Sequence, residues 1–211
     1  MREDRVKFPS GELTLEGIAG MPGGDGPFPA VIVCHPHPLY GGDMYNNVVS
    51  TVCAALAQAS LVAFRFNFRG VGGSGGRYGD GVGEQEDVRS ALAYVETLSY
   101  VDSGRVGLAG YSAGAGFGVP VACKDDRVRA LCAVSPPLDM FDFACLSECA
   151  KPRLLLCGSR DDFTTADRFL EFCECLPEPK EYGTVEGADH FWRGHESPLA
   201  DRVAAFFTGA L

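Results

Sequence analysis

The sequence predicts an α/β fold, with a mostly parallel, twisted sheet of about seven or eight strands and helices packed on both faces. Two observations carry this. Short apolar runs rich in β-branched residues alternate along the chain with segments of helical periodicity, the pattern of strands joined by crossover helices. At 211 residues and 46% hydrophobic content, the chain has enough apolar material for one well-buried core. It shows no internal repeat and no long linker, so residues 1–211 are expected to form a single domain.

The elements follow in order. Extended segments near Val6 and Leu13 are separated only by Pro9, Ser10 and Gly11, which reads as an antiparallel hairpin at one edge of the sheet. Its second strand runs from Glu12 to Gly17. Further strand-like runs are Ala30 to Cys34, Leu61 to Phe66, Val106 to Ala109, Val128 to Val134 and Arg153 to Cys157, with a weaker one from Lys180 to Val185. Between Phe66 and Val106 a helix is marked by Val88, Ala91, Leu92 and Val95 on one stripe. Glu84, Glu86 and Asp87 near its start suit the positive end of the helix dipole. A later helix begins at Thr164, with Asp167 three residues on as a capping-box-like pair, and turns Ala166, Phe169, Leu170 and Cys173 inward. The last helix starts at Ser197, with Pro198 in its first turn. Ser135 to Pro152 is too short for a substantial lid, so an open or lightly covered cleft is expected.

Composition narrows the function classes. A net charge of −10 and a pI near 4.8 oppose binding to phosphate backbones and anionic membrane surfaces. The start, MREDRVKFPS, lacks the apolar core of a signal peptide, and no apolar run approaches the ~18 residues that span a bilayer. A cytoplasmic protein with no nucleic-acid or membrane partner is the expectation. The nine cysteines are odd in number, and Cys34, Cys132 and Cys157 lie inside strand-like runs, so they read as buried free thiols. Cys145/Cys149 and Cys173/Cys175 do not match metal or redox CxxC spacing.

The chemistry concentrates in three loops. Arg105 to Gly114, RVGLAGYSAG, leads a strand-like run into Gly110, Tyr111, Ser112, Ala113 and Gly114, a GxSxG nucleophile elbow. A serine hydroxyl needs a sharp turn, an adjacent base and oxyanion donors to act as a nucleophile, and the flanking glycines permit the turn. After Arg153 to Cys157 come Gly158, Ser159, Arg160, Asp161, Asp162 and Phe163, which place a carboxylate beyond the carboxyl end of a strand. After Lys180 to Val185 come Gly187, Ala188, Asp189 and His190, which place a histidine similarly. The order Ser, Asp, His supplies a nucleophile (Ser112), an orienting acid (Asp161, with Asp162 as the competing choice) and a base (His190). Asp189 reads as a turn carboxylate and His195 as an ordinary residue before a helix.

Through GYSAG, GSRDD, GADHFW and the segment HPHPLYGG after the first central strand, the chain resembles the α/β-hydrolase superfamily along nearly its whole length. It is most similar to small bacterial serine esterases without a large lid, which share an HPHP loop, paired glycines and an NFRGVG segment, here Asn67 to Gly72. The resemblance implies the α/β-hydrolase fold and hydrolysis of small or short-chain carboxylic esters through an acyl-enzyme, with no cofactor and no metal. It carries the acid to Asp161, the base to His190 and one oxyanion donor to the amide of Ala113. His37 matches the second donor, since Pro36 and Pro38 have no amide hydrogen, with Tyr40 as the alternative. Tyr40, Met44, Tyr45, Phe163 and Trp192 are expected to line the substrate pocket, Phe191 beside them. Thioesters and activated amides use the same machinery, so thioesterase and aminopeptidase-like activities stand as alternatives.

Two rival sites are weaker. His35 and His37 form an HxH pair, but no further ligand stands at metal spacing beside them. Gly70 to Gly75 fits GxGxxG, yet Gly76 to Gly81 extends the loop where a dinucleotide site needs a helix start at once. Arg69 there reads as a structural hydrogen-bond donor.

Overall fold

A computed structural model describes residues 2–211. Eight strands form one sheet: β1 (Arg2–Ser10), β2 (Leu13–Met21), β3 (Phe28–Cys34), β4 (Val62–Phe66), β5 (Val101–Tyr111), β6 (Val128–Val134), β7 (Arg153–Gly158) and β8 (Lys180–Val185). Their spatial order is β1-β2-β4-β3-β5-β6-β7-β8. β1 and β2 pair antiparallel with each other and β2 with β4, and every pairing from β4 through β3 to β8 is parallel. Central strands such as β4 and β7 are buried along their whole length, as strands covered on both faces must be.

The covering helices divide between the two faces. α1 (Asn47–Gln58) and α5 (Glu196–Ala210) pack on one face, burying Val49, Val52, Leu56, Val203 and Phe207. α2 (Val82–Glu96), α3 (Ala113–Lys124) and α4 (Ala166–Glu174) pack on the other. α2 buries the stripe Val88, Ala91, Leu92 and Val95. Each large apolar side chain there stabilises the fold by roughly 1.5–3 kcal/mol. An aromatic cluster continues that core, with Phe66 against Phe68 at 4.9 Å and Phe68 against Phe117 at 5.4 Å between ring centroids. Among the described residues, no helix is long and apolar enough to cross a membrane.

Several details differ from the sequence reading. α1 fills a crossover that the sequence reading did not assign individually: its run of Val48, Val49, Ser50, Thr51 and Val52 is strand-like in propensity, but Asn46 caps Val48 (3.0 Å) and the apolar face docks on α5 and the sheet. The hairpin turns at Gly11 and Glu12, while Pro9 and Ser10 pair with Thr14 and Leu13. Pro9 is tolerated because β1 is an edge strand. Thr164 does not cap α4. Its hydroxyl donates to the Pro136 carbonyl (2.8 Å) and accepts from the Leu138 amide (3.1 Å), and the helix begins at Ala166. α5 begins one residue earlier than expected, at Glu196.

The acids at the start of α2 do more than face a dipole. Glu84 accepts from the amides of Gly79 and Gly81, and Asp87 takes the Arg69 guanidinium and the Ser10 hydroxyl. Arg69 is thus a structural donor that ties the NFRGVG loop to α2. In the GxGxxG run, the Gly73 amide donates to the Glu16 carboxylate (2.7 Å), the position a phosphate would need. α2 starts only at Val82.

Candidate active site

The sheet brings three loops together at the carboxyl ends of β5, β7 and β8. β5 ends at Tyr111, and Ser112 follows with φ 54° and ψ −124°, a sparsely populated conformation for a residue with a side chain. The turn is held by the Ser112 amide, which donates to the Val134 carbonyl at 2.9 Å. It is held too by the close approach of α3: a Cβ on Gly114 would run into the carbonyls of Cys34 and His35. Only glycine lets the elbow sit this deep against β3.

Ser112 Oγ lies 2.9 Å from His190 Nε2, and His190 Nδ1 lies 2.9 Å and 3.0 Å from the two oxygens of Asp161. Asp161 is 3% exposed, and its carboxylate also accepts from the amides of Phe163 and Thr164. Burial pushes the Asp161 carboxyl up. The opposing bonds from His190, Ser135 and the Phe163 amide outweigh it and hold the group below its ordinary value, so it stays an anion. An anionic partner at Nδ1 places the proton there and leaves Nε2 free to accept the serine proton. The Tyr111 hydroxyl donates to the His190 carbonyl (2.7 Å), and the Asn47 side chain donates to the Phe191 carbonyl (3.1 Å). These two bonds fix the histidine loop from β5 and from α1.

Asp162 is exposed, while Asp161 points inward, which separates the two adjacent acids by the turn alone. Asp189 is exposed and accepts from the Phe191 amide, an Asx-type turn. His195 stands at the position before α5 without a side-chain cap bond and does not line the cleft.

The HPHP loop is latched by His35, which is fully buried. His35 Nε2 accepts from the Phe68 amide (3.1 Å), so Nδ1 carries the hydrogen and donates to the Pro36 carbonyl (2.6 Å). Both ring nitrogens are occupied, and burial lowers the His35 pKa to about 4. Such a ring has no lone pair left for an ion. Further along, the amides of Tyr40 and Gly42 donate to the His37 carbonyl and that of Leu39 to the His37 ring. Gly42 must be glycine here, since a Cβ would strike the Pro36 carbonyl. Tyr40's amide is therefore spent within the turn. Among the described residues, the amides of His37 and Ala113 have no protein acceptor, and both residues border the cleft that holds Ser112.

That cleft has a volume of about 480 Å³, within the ordinary range for small-molecule sites. Tyr40 and Phe163 line it as expected, together with Phe191. The Phe163 ring packs against His190, tilted by 33°, with 4.2 Å between centroids. Met44, Tyr45 and Trp192 do not line it. Met44 is buried beneath the loop with its amide on Asn67, and Tyr45 projects to solvent beyond the rim. Trp192, at φ 60°, turns into the core and donates its Nε1 hydrogen to Ser135 Oγ (3.0 Å).

The opposite wall escaped sequence reasoning. It is built by Pro137, Met140 and Phe141, from the segment between β6 and β7. That segment contains one short 3-10 turn, Ala144–Ser147, and lies across the cleft's side. Its apolar start, SPPLDMF, directly after a strand's carboxyl end was the available signal. Ser135 was missed as well. Buried at φ 45°, it links Trp192 to Asp161 and so positions the acid.

Comparisons with known proteins agree with this architecture. A model of the X-Pro dipeptidyl-peptidase (S15) family matches residues 20–191. The uncharacterized protein RP471 of Rickettsia prowazekii (strain Madrid E) is 33% identical over 173 residues, covering 78% of this chain and 72% of that protein. A solved α/β serine hydrolase homologue from Coxiella burnetii superimposes with a TM-score of 0.88 at 36% identity over 97% of both chains. XC6422 from Xanthomonas campestris, described as an α/β serine hydrolase without lid, superimposes with a TM-score of 0.85 at 26% identity, covering 98% of this chain and 94% of that one.

Proposed function

Because the chain belongs to the X-Pro dipeptidyl-peptidase (S15) family, within the α/β-hydrolase superfamily, we propose that it is a serine esterase that cleaves carboxylic esters with small or short-chain acyl groups. The observation that carries the reading is the unbroken hydrogen-bond chain from Ser112 through His190 to Asp161 at the floor of an apolar cleft.

In this reading the Ser112 hydroxyl donates its proton to His190 Nε2 as Oγ attacks the acyl carbon. The negative charge that develops on the carbonyl oxygen is met by the amides of Ala113 and His37. His190 then protonates the departing alcohol and the acyl-enzyme forms. Water, deprotonated by His190, attacks the acyl carbon and releases the acid and Ser112. Asp161 keeps the imidazole in the required tautomer and balances its charge.

An ester is favoured over an amino-terminal peptide by the wall chemistry. An X-Pro dipeptidyl-peptidase must hold a protonated substrate amino group, and among the described residues no carboxylate lines the cleft, whose walls are mostly aromatic, proline, glycine and aliphatic. The exposed aromatics Tyr40, Phe163 and Phe191 at the mouth suit an apolar acyl or alcohol group.

A fluorophosphonate probe, followed by hydrolysis of p-nitrophenyl esters of increasing acyl length and of an alanyl-proline amide, tests the proposal. Labelling at Ser112 that is lost in Ser112→Ala is expected, with turnover of short esters falling roughly 10⁴- to 10⁶-fold in that variant. Equal labelling of the variant sinks the acyl-enzyme mechanism, and preference for the amide sinks the ester assignment.

A further inference from the structure

With Ser112 and His190 set aside, few polar side chains line the cleft. Tyr111 is one, but its hydroxyl is spent on the His190 carbonyl (2.7 Å). Tyr40, His37 and Asn46 remain. Tyr40 stands at the rim, 82% exposed. The other two are oriented by backbone amides. His37 Nδ1 accepts from the Leu39 amide (3.2 Å), so the neutral ring carries its hydrogen on Nε2. Asn46 Oδ1 accepts from the Val48 amide (3.0 Å) as the cap of α1, so the side-chain amide cannot turn over and its hydrogens sit on Nδ2.

Asn46 is also held through its main chain. Its amide donates to the Asp43 carbonyl (3.2 Å), its carbonyl accepts from the Ser50 amide (2.9 Å), and the next residue, Asn47, donates to the Phe191 carbonyl (3.1 Å) in the histidine loop. Nδ2 itself has no acceptor in the protein. Among the described residues, the one buried side-chain nitrogen or oxygen without a partner is Arg65 Nε. The Nδ2 hydrogens are therefore open to solvent, on a half-buried residue that borders the Ser112 cleft. A donor fixed in direction beside apolar walls needs an acceptor once substrate displaces water, because leaving it unpaired costs a hydrogen bond. Such a donor also discriminates against the analogue that lacks the matching oxygen.

Resting on the serine esterase reading, we propose that Asn46 is a specificity-determining residue whose Nδ2 donates to an uncharged oxygen that the ester carries beyond its scissile group. The substrate class narrows to oxygenated esters, such as alkoxy, keto or diester compounds, in preference to plain alkyl ones. His37 Nε2 is likewise a donor, so the oriented side chains outside the triad offer hydrogens only. An ether or carbonyl oxygen accepts them and brings no charge into the apolar cleft. A protonated amine, itself only a donor, is not held by them. The oxygen can belong to the acyl or to the alcohol part, and two pairs of substrates separate those cases.

Each pair exchanges one methylene for an ether oxygen: p-nitrophenyl butyrate against p-nitrophenyl methoxyacetate for the acyl part, and butyl acetate against 2-methoxyethyl acetate for the alcohol part. The ratio of kcat/KM within a pair is divided by the ratio of alkaline hydrolysis rates, which removes intrinsic reactivity. The wild type should prefer the ether member of one pair by roughly 3- to 10-fold, the span of one hydrogen bond. Asn46→Ser keeps an oxygen to cap α1 and removes Nδ2. Asn46→Asp keeps the shape and the cap and puts an acceptor where the donor stood. The preference should vanish in the first variant and reverse in the second. A displaced α1 or a disturbed triad slows both members of a pair and cancels in the ratio. A corrected wild-type ratio near one in both pairs, or a preference that survives both substitutions, overturns the assignment. Fluorophosphonate labelling of Ser112 and turnover of the butyrate ester test the esterase reading separately, and their absence in the wild type sinks that reading and this one with it.

Discussion

Replacing His35 with glutamine isolates one titration from the protein's acid response. His35 is enclosed between the Pro36 carbonyl and the Phe68 amide, and burial, the largest influence, lowers its pKa from 6.5 to about 4 against the smaller upward pulls of Pro36 and Asp43. The folded value is the lower one. Between about 4 and 6.5 the unfolded chain therefore binds a proton that the folded chain refuses, and stability falls as the pH falls. The loss is about 1.4 kcal/mol per pH unit through that window, about 3 kcal/mol in all. This is a large part of a typical domain's 5–15 kcal/mol, roughly.

Above the window the effect is absent, and below it the loss is complete. Urea unfolding from neutral pH down through the window, on the wild type and His35→Gln, measures it. Glutamine supplies an oxygen for the Phe68 amide and does not titrate. Groups common to both proteins, such as the lowered carboxyl of Asp161 and the lowered imidazole of His37, cancel in the difference. The variant should be less stable at neutral pH, with a stability slope shallower by about one proton across the window. Parallel slopes would refute the reasoning. Protonation also turns Nε2 into a donor facing the Phe68 amide, which releases the latch under His37. In the folded chain that protonation comes at about pH 4, so a loss of activity through the latch should fall at the acid end of the window, below most of the range in which stability declines.

Two other substitutions address the site directly. Asp161→Asn places an amide where His190 needs an anion, and turnover should fall by ~10⁴-fold; Asp162→Asn, at an exposed position, should leave turnover essentially unchanged, and similar kinetics in the two variants would contradict the assignment. Gly114→Ala puts a methyl group against the carbonyls of Cys34 and His35, so denaturant unfolding should show a loss of roughly 1–3 kcal/mol and steady-state assays a lower turnover, because the Ala113 amide moves with α3; wild-type values for both would show that the elbow has slack.

The parts of the fold legible in the sequence are those in which pattern and environment coincide. β4, β6 and β7 are short apolar runs because both faces of the sheet are covered, and the stripe of α2 has one period and one buried side. α1 was not marked because its β-branched residues favour strands, while its Asn46 cap and its docking on α5 and the sheet make it a helix. Ser112, Asp161 and His190 were legible because each follows a strand in a loop too short to carry it elsewhere. The pocket walls were not, since they depend on side-chain direction. At φ 60° Trp192 faces the core and leaves Phe191 at the mouth, and nothing in GADHFW distinguishes those neighbours. Met140 and Phe141 required the path of the segment after β6.

The origin of that far wall has a consequence for how such a protein can diversify. Ser112, Asp161 and His190 hang from β5, β7 and β8, whereas Met140 and Phe141 belong to the connection that leaves β6, the strand between them in the sheet. On the proposed esterase reading, inherited changes in that connection would retune which acyl or alcohol groups fit, at positions that make no bond to Ser112, Asp161 or His190. On that reading, a lineage carrying this chain would explore new substrates one wall residue at a time while Ser112, Asp161 and His190 are passed on unaltered.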